Sequence, residues 1–326
     1  MNYKFISRAH MRAIMAIILV FNCVSHRSIQ AKEYLFYEPY THAVTKDSKE
    51  FQPLPEKNEL SKKVKQLSET HSVPREALIK LYAMEKILKR ISVSQYRNNL
   101  ALAGSFVCYS FLGLDGRTPQ DLDLQMQGLP TDENNIKKVI SEILSISLDD
   151  NIKLKISKTT PLKAAFRLHI ICSIDKLEIP LYVDCITDKK YFHETTPIDL
   201  KLLFGDETIT ISSCSIESEL SDKITASLKR NIKNIRLKDY YDIWYIYKNY
   251  SDKINPQTLA RAFEFSRAFK NPCDIDYKDT LKTMRKNSNL KKKWIGYQKQ
   301  NKFAENIDIL HIFDIIENII QHYNLL

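Results

Sequence analysis

Behind Ser72-Val73-Pro74, apolar residues recur at three- and four-residue spacing: Leu78, Leu81, Tyr82, Met84, Ile87, Leu88 and Ile91. That period predicts a helix with one buried face, and the Ser and Pro suit its cap and first turn. Leu100-Ala101-Leu102-Ala103 is a short unbroken apolar run followed at once by Gly104-Ser105 and a second apolar segment through Phe111. It reads as strand, tight turn and helix. A loop from Gly113 to Gln120 leads into Asp121-Leu122-Asp123-Leu124, which alternates acid with leucine and predicts a strand with one wet and one dry face. A helix over Glu133–Ile146 follows, then strands at Ile152–Ile156, Phe166–Ile174 and Ile179–Ile186.

From Ile216 onward the period is helical. Ile216, Leu220, Ile224 and Leu228 form one stripe, and Tyr241, Trp244, Tyr245 and Tyr247 belong to the next helix. Ile309, Ile312, Phe313, Ile316 and Ile320 line a final one. The fold class expected is α+β: a small mixed sheet with flanking helices, followed by a helical C-terminal part. The expected organisation is a non-core, signal-like segment over 1–31, an N-terminal extension and first helix over 32–74, a mixed core over 75–215 and a helical region over 216–326.

Composition narrows the chemistry. The 326 residues include only six glycines, and neither G-x-x-x-x-G-K-[ST] nor G-x-G-x-x-G occurs, which excludes the usual P-loop and Rossmann fingerprints. Lys and Arg outnumber Asp and Glu by 49 to 39, a net +10 that suits polyanionic partners or simply a soluble surface. Six scattered cysteines without C-x-x-C, and eight histidines without H-E-x-x-H, give no zinc or disulfide pattern. Residues 282–302 carry eight basic side chains and no acid, among them Lys291, Lys292 and Lys293. These three are candidate contacts for a polyanion such as nucleic acid, the alternative being a solvated helix face.

One apolar run, Ala13–Val24, follows Lys4, Arg8 and Arg12 and is too short to be a comfortable membrane span. It resembles a signal peptide, with Ala31 at a poor cleavage site, and a misassigned start is the other reading. The expected location is the cytoplasm, with export through this segment as the alternative. Without residues 1–31 the net charge is still +6, because that stretch holds four basic residues and no acid.

The candidate chemistry centres on Asp121 and Asp123. Carboxylates at i and i+2 on a strand share a face, where they repel each other unless a cation intervenes. Mg²⁺ suits such a pair together with substrate phosphates. Gly104-Ser105 stands at a helix start, where free N–H groups favour a phosphate. Asp184 ends the strand Ile179-Pro180-Leu181-Tyr182-Val183 and is the expected third ligand of a two-ion cluster. Lys223 is either a snorkelling side chain or a point charge for triphosphate oxygens. Asp239 and Asp242 share a helix face, and Asp239 could also simply cap the helix.

These residues, taken in order, resemble the AbiEii/AbiGii nucleotidyltransferase toxin family. Leu78–Leu124 matches its helix, strand, Gly-Ser turn and Arg117-Thr118 ahead of the D-x-D. Glu219–Tyr245 matches its E-x-x-x-K helix and its R-D-x-Y-D, with Lys238 in place of the Arg and, in the first block, Ala103 in place of a frequent Lys. A weaker tail match lies around Trp294, so the resemblance covers residues 75–320. It implies transfer of a nucleotide from an NTP to RNA, with Mg²⁺, with tRNA ends as acceptors in some members, and with a cognate antitoxin as partner. Gly104 and Ser105 would hold phosphates and Asp121 and Asp123 the metals. Lys223 and Asp239 would fill the remaining catalytic positions. Two readings from other classes are a degenerate member that only binds nucleotide or RNA, and a phosphotransferase acting on protein or a small molecule.

Overall fold

The computed structural model describes residues 59–148, 150–205, 207–270 and 276–325. The signal-like run and the extended entry segment expected before residue 59 lie outside the described residues. Among the described residues, no helix is long and apolar enough to cross a membrane.

Two helices open the fold, α1 (Glu59–His71) and α2 (Arg75–Val93). Strand β1 (Leu100–Ala103) and the short helix α3 (Ser105–Leu112) follow, joined by Gly104. Next come β2 (Leu122–Met126) and α4 (Glu133–Leu144), whose N-cap Asp132 accepts from Asn135 N–H. A three-stranded meander is built from β3 (Ile152–Pro161), β4 (Ala165–Ile174) and β5 (Leu177–Ile186). Two further strands, β6 (Thr195–Lys201) and β7 (Thr208–Cys214), were not predicted by the apolar pattern. The seven strands form one mixed sheet in the order β3-β4-β5-β2-β1-β7-β6, with β2–β5 and β1–β7 parallel and the other pairs antiparallel.

Helices α2 and α4 pack against the sheet and against each other. The resulting core includes Leu81, Met84, Leu88, Leu102, Leu122, Leu124 and Val183. Leu122 and Leu124 are fully buried, so the residue between them, Asp123, is turned to the opposite face. Register then sets a row of side chains across four strands on that face: Arg167 opposes Asp184, Asp184 opposes Asp123, and Asp123 opposes Ala103.

The second half is helical: α5 (Ile216–Arg230), α6 (Leu237–Tyr250), α7 (Pro256–Phe265), α8 (Tyr277–Lys286), α9 (Ser288–Gln300) and α10 (Ile309–His322). It has its own apolar core, from Ile216 to Ile320, with Tyr240, Trp294 and Phe313 at the centre. Helix α5 is buried on most of its circumference, including Glu219 and Lys223. Charges in that position must find partners, and α3, packed on both α5 and α6, brings the sheet domain's turn to them.

One buried carboxylate stands away from the acid row. Glu85 on α2 accepts from the N–H groups of Leu203 (2.9 Å) and Phe204 (3.3 Å) and from the Tyr109 hydroxyl (3.4 Å), tying α2 to the β6–β7 connection. It has no ion pair among the described residues, and burial pushes its pKa up to about 7 from 4.5 despite those three donors. A carboxyl with a raised native pKa favours folding at low pH, and that contribution is lost as pH rises from about 4.5 through 7. The shift corresponds to about 3 kcal/mol. Glu85→Gln is therefore expected to flatten the fall in stability between pH 5 and 8, measured by urea denaturation at fixed salt. An unchanged pH profile would show that Glu85 is not the group responsible.

Candidate active site

The turn between β1 and α3 is shaped by a glycine. Gly104 has φ +70°, and a Cβ built there would lie 1.9 Å from Asp123 Oδ2. Only glycine fits both the backbone conformation and the close approach of the carboxylate. Its N–H donates to Glu219 Oε1 at 2.8 Å, so the turn is fastened to α5. The first-turn N–H groups of α3, beginning at Ser105, point away from the helix body, as helix starts require. A small cleft between α3 and α6 adjoins this turn, lined by Ser105, Tyr109, Arg117, Tyr241, Asp242 and Tyr245.

Asp123 lies against this turn, and Asp121 is close enough to raise its pKa, but the two acids differ in their surroundings. Asp121 lies just before β2 and its Oδ2 is 3.3 Å from Arg167 Nη2. The Asp123 side chain has no hydrogen bond or ion pair among the described residues. Burial raises its pKa well above the usual carboxylate range, and the charges of Asp121, Asp184 and Glu219 raise it further, against a small opposing effect of Lys238.

Asp184, expected as a third metal ligand, has a different partner. Arg167 grips it with two short contacts, Nε–Oδ1 and Nη2–Oδ2, both 2.6 Å. Burial nonetheless pushes the Asp184 carboxyl up, more than Arg167 pulls it down. Among the described residues, no group of three His, Cys, Asp or Glu side chains is placed to hold a metal ion. The donor set that fits Mg²⁺ is the Asp121–Asp123 pair, a set that substrate phosphates and water would complete.

Lys223, expected to reach triphosphate oxygens, is buried and engaged. Its Nζ lies 3.2 Å from Asp242 Oδ2 and 3.4 Å from Glu219 Oε2. Asp242 is also held by Arg117 through Nε (2.6 Å) and Nη2 (2.7 Å). Arg117, Asp242, Lys223, Glu219 and the Gly104 N–H thus form one continuous chain of contacts from α6 through α5 to the β1–α3 turn. Asp239 is buried against Arg230 (3.1 Å) and Arg236 (3.4 Å) and does not cap α6 through its side chain. Lys291, Lys292 and Lys293 lie on α9, Lys292 exposed and the other two half-buried, where Leu290 and Trp294 face the helical core.

Sequence reasoning missed Arg167. The signal was present: a cation within Phe166–Ile174, otherwise an apolar strand, needs an acid beside it. Arg117 was visible only as part of a motif.

Matched against known families, residues 86–313 fit the model of the nucleotidyl transferase AbiEii toxin of type IV toxin–antitoxin systems. This chain belongs to that family. It is accordingly a nucleotidyltransferase, α+β in class, with a mixed sheet, flanking helices and a helical C-terminal part. No curated protein matches the chain. Among solved structures, JHP933 from Helicobacter pylori is similar at 16% identity and a TM-score of 0.49, over 78% of this chain and 94% of that one. MenT4, a nucleotidyltransferase toxin of Mycobacterium tuberculosis, is similar at 12% identity and a TM-score of 0.48, over 80% and 97%.

Proposed function

We propose that this nucleotidyltransferase moves a nucleotide from an NTP to an RNA acceptor, a tRNA end being the best candidate, as the toxin of a toxin–antitoxin pair. The observation that carries the reading is Asp123: a carboxylate unpaired among the described residues, recessed beside Asp121, against the glycine turn that opens α3. Asp121 and Asp123 would hold Mg²⁺, which when bound would neutralise the acids and the substrate phosphates together. Ser105 and the first-turn N–H groups of α3 would orient the phosphates. The acceptor hydroxyl oxygen forms its bond to the α-phosphorus as the bond to the β-phosphate oxygen breaks, with pyrophosphate leaving in line and the hydroxyl proton passing to solvent. Arg167, Asp184, Lys223, Glu219, Arg117 and Asp242 act on this reading as the frame that fixes the turn and the acids, so that positioning and charge supply the catalysis. Lys291, Lys292 and Lys293 would follow the acceptor's phosphates. NTP and RNA are cytoplasmic, and on this reading so is the site of action.

The test uses purified protein, Mg²⁺, total RNA and each of the four NTPs labelled at the α- or the γ-phosphate, resolved on a gel. The expected result is α-label, and no γ-label, in RNA of tRNA size. Transfer of γ-label alone would instead establish a phosphotransferase, and no transfer from any NTP would overturn the reading.

A further inference from the structure

The charges around the acid pair can be matched almost one for one. Arg117 is paired with Asp242, Lys223 with Asp242 and Glu219, Arg167 with Asp184 and Asp121, and Arg230 and Arg236 with Asp239. Two groups remain among the described residues. Asp123 has no cation within ion-pair distance, and Lys238, at the start of α6, has no carboxylate within 4 Å. Lys238 stands one helical turn before Asp242 on α6, the carboxylate that Arg117 and Lys223 hold; burial, Arg117 and Arg236 lower its pKa, and Asp121 and Asp239 oppose them. It is half-buried, and its immediate neighbour Asp239 is taken by the two arginines.

A site with one unanswered carboxylate and one unanswered ammonium needs a ligand that carries both signs. A metal–polyphosphate chelate does: its cation answers the acid and its phosphate oxygens answer the amine. We infer that Lys238, rather than Lys223, is the side chain that binds the phosphates of the incoming NTP. This assignment rests on the function proposed above. Lys suits the role because its compact ammonium acts as a point charge and presents three donors to phosphate oxygens. Lys223 is unsuited, since reaching a phosphate would strip Asp242 and Glu219 of their shared partner inside the protein.

The experiment measures binding, without acceptor, of Mg²⁺ with inorganic tripolyphosphate and of Mg²⁺ with each of the four NTPs, by calorimetry on the full chain. Lys238→Met is expected to weaken tripolyphosphate and the preferred NTP by about tenfold or more, the loss of one charge-assisted contact. Lys238→Arg is expected to restore most of the affinity, and both variants should keep the parent's thermal midpoint because Lys238 makes no ion pair among the described residues. Should Lys238→Met fail to fold, Lys238→Gln, which keeps a polar end of similar reach, replaces it. Parent-like affinity in the Met or Gln variant overturns the assignment of Lys238 alone. A parent protein that binds neither tripolyphosphate nor any NTP overturns the assignment and the proposed function together.

Discussion

Asp123→Asn is expected to abolish nucleotide transfer while making the protein more stable. The two effects have one cause. Asp123 is recessed, has no hydrogen-bond or ion-pair partner among the described residues, and faces Asp121, Asp184 and Glu219, so its charged form is disfavoured in the folded state. Its raised native pKa means that ionisation weakens the fold progressively as pH climbs above the ordinary carboxylate range. Asparagine keeps the shape against Gly104 and removes the charge. The variant should be more stable than the parent at pH 8, and the difference should shrink as pH falls toward the ordinary carboxylate range. Transfer should fall by at least about 10²–10³-fold, as for loss of one preorganised electrostatic group. Paired measurements of urea midpoints and of label transfer check both halves. A variant that is less stable at pH 8 would mean that Asp123 is satisfied in the fold, and parent-like transfer would remove it from the site.

Much of this arrangement was legible in the sequence because it is local. The Leu78–Ile91 period, the Leu100–Ala103 run and the Asp121–Leu124 alternation each reflect burial of one face of one element, and the corresponding α2, β1 and β2 are present. Strands β6 and β7 were harder. In β6 (TTPIDLK) and β7 (TITISSC) the alternation is carried by only two or three apolar residues, with Pro197 in the edge strand, where a missing N–H is tolerated. The pairings of the charged residues were not legible at all. Whether Asp184 meets a metal or an arginine depends on β4 and β5 being paired so that Arg167 opposes it, a register set by a turn and not by either strand's own pattern. Lys223 raises the same problem over a longer range: its partner Asp242 lies one helix later, and Arg117 reaches that carboxylate from 125 residues away.

That network gives the largest expected change in stability. Among the described residues, Asp242 is the only carboxylate touching both Arg117 and Lys223, all three nearly inaccessible to solvent. Burial alone would raise its pKa, but Arg117 first and Lys223 second hold it down to about 2. A depressed native pKa contributes stability that is complete above the unfolded value near 3.8 and is lost as pH falls through about 2. Asp242→Ala should cost about 3–5 kcal/mol at pH 7, because it leaves a guanidinium and an ammonium buried beside one another. The loss should also reach the site, since Lys223 would then pull on Glu219, the group that anchors the Gly104 N–H. The double variant Asp242→Ala/Lys223→Met should recover part of the stability by removing one orphaned cation. A thermodynamic cycle over the parent, both single variants and the double variant measures the coupling. Costs that simply add would show that Lys223 is held by other groups and would free it again for a role toward substrate.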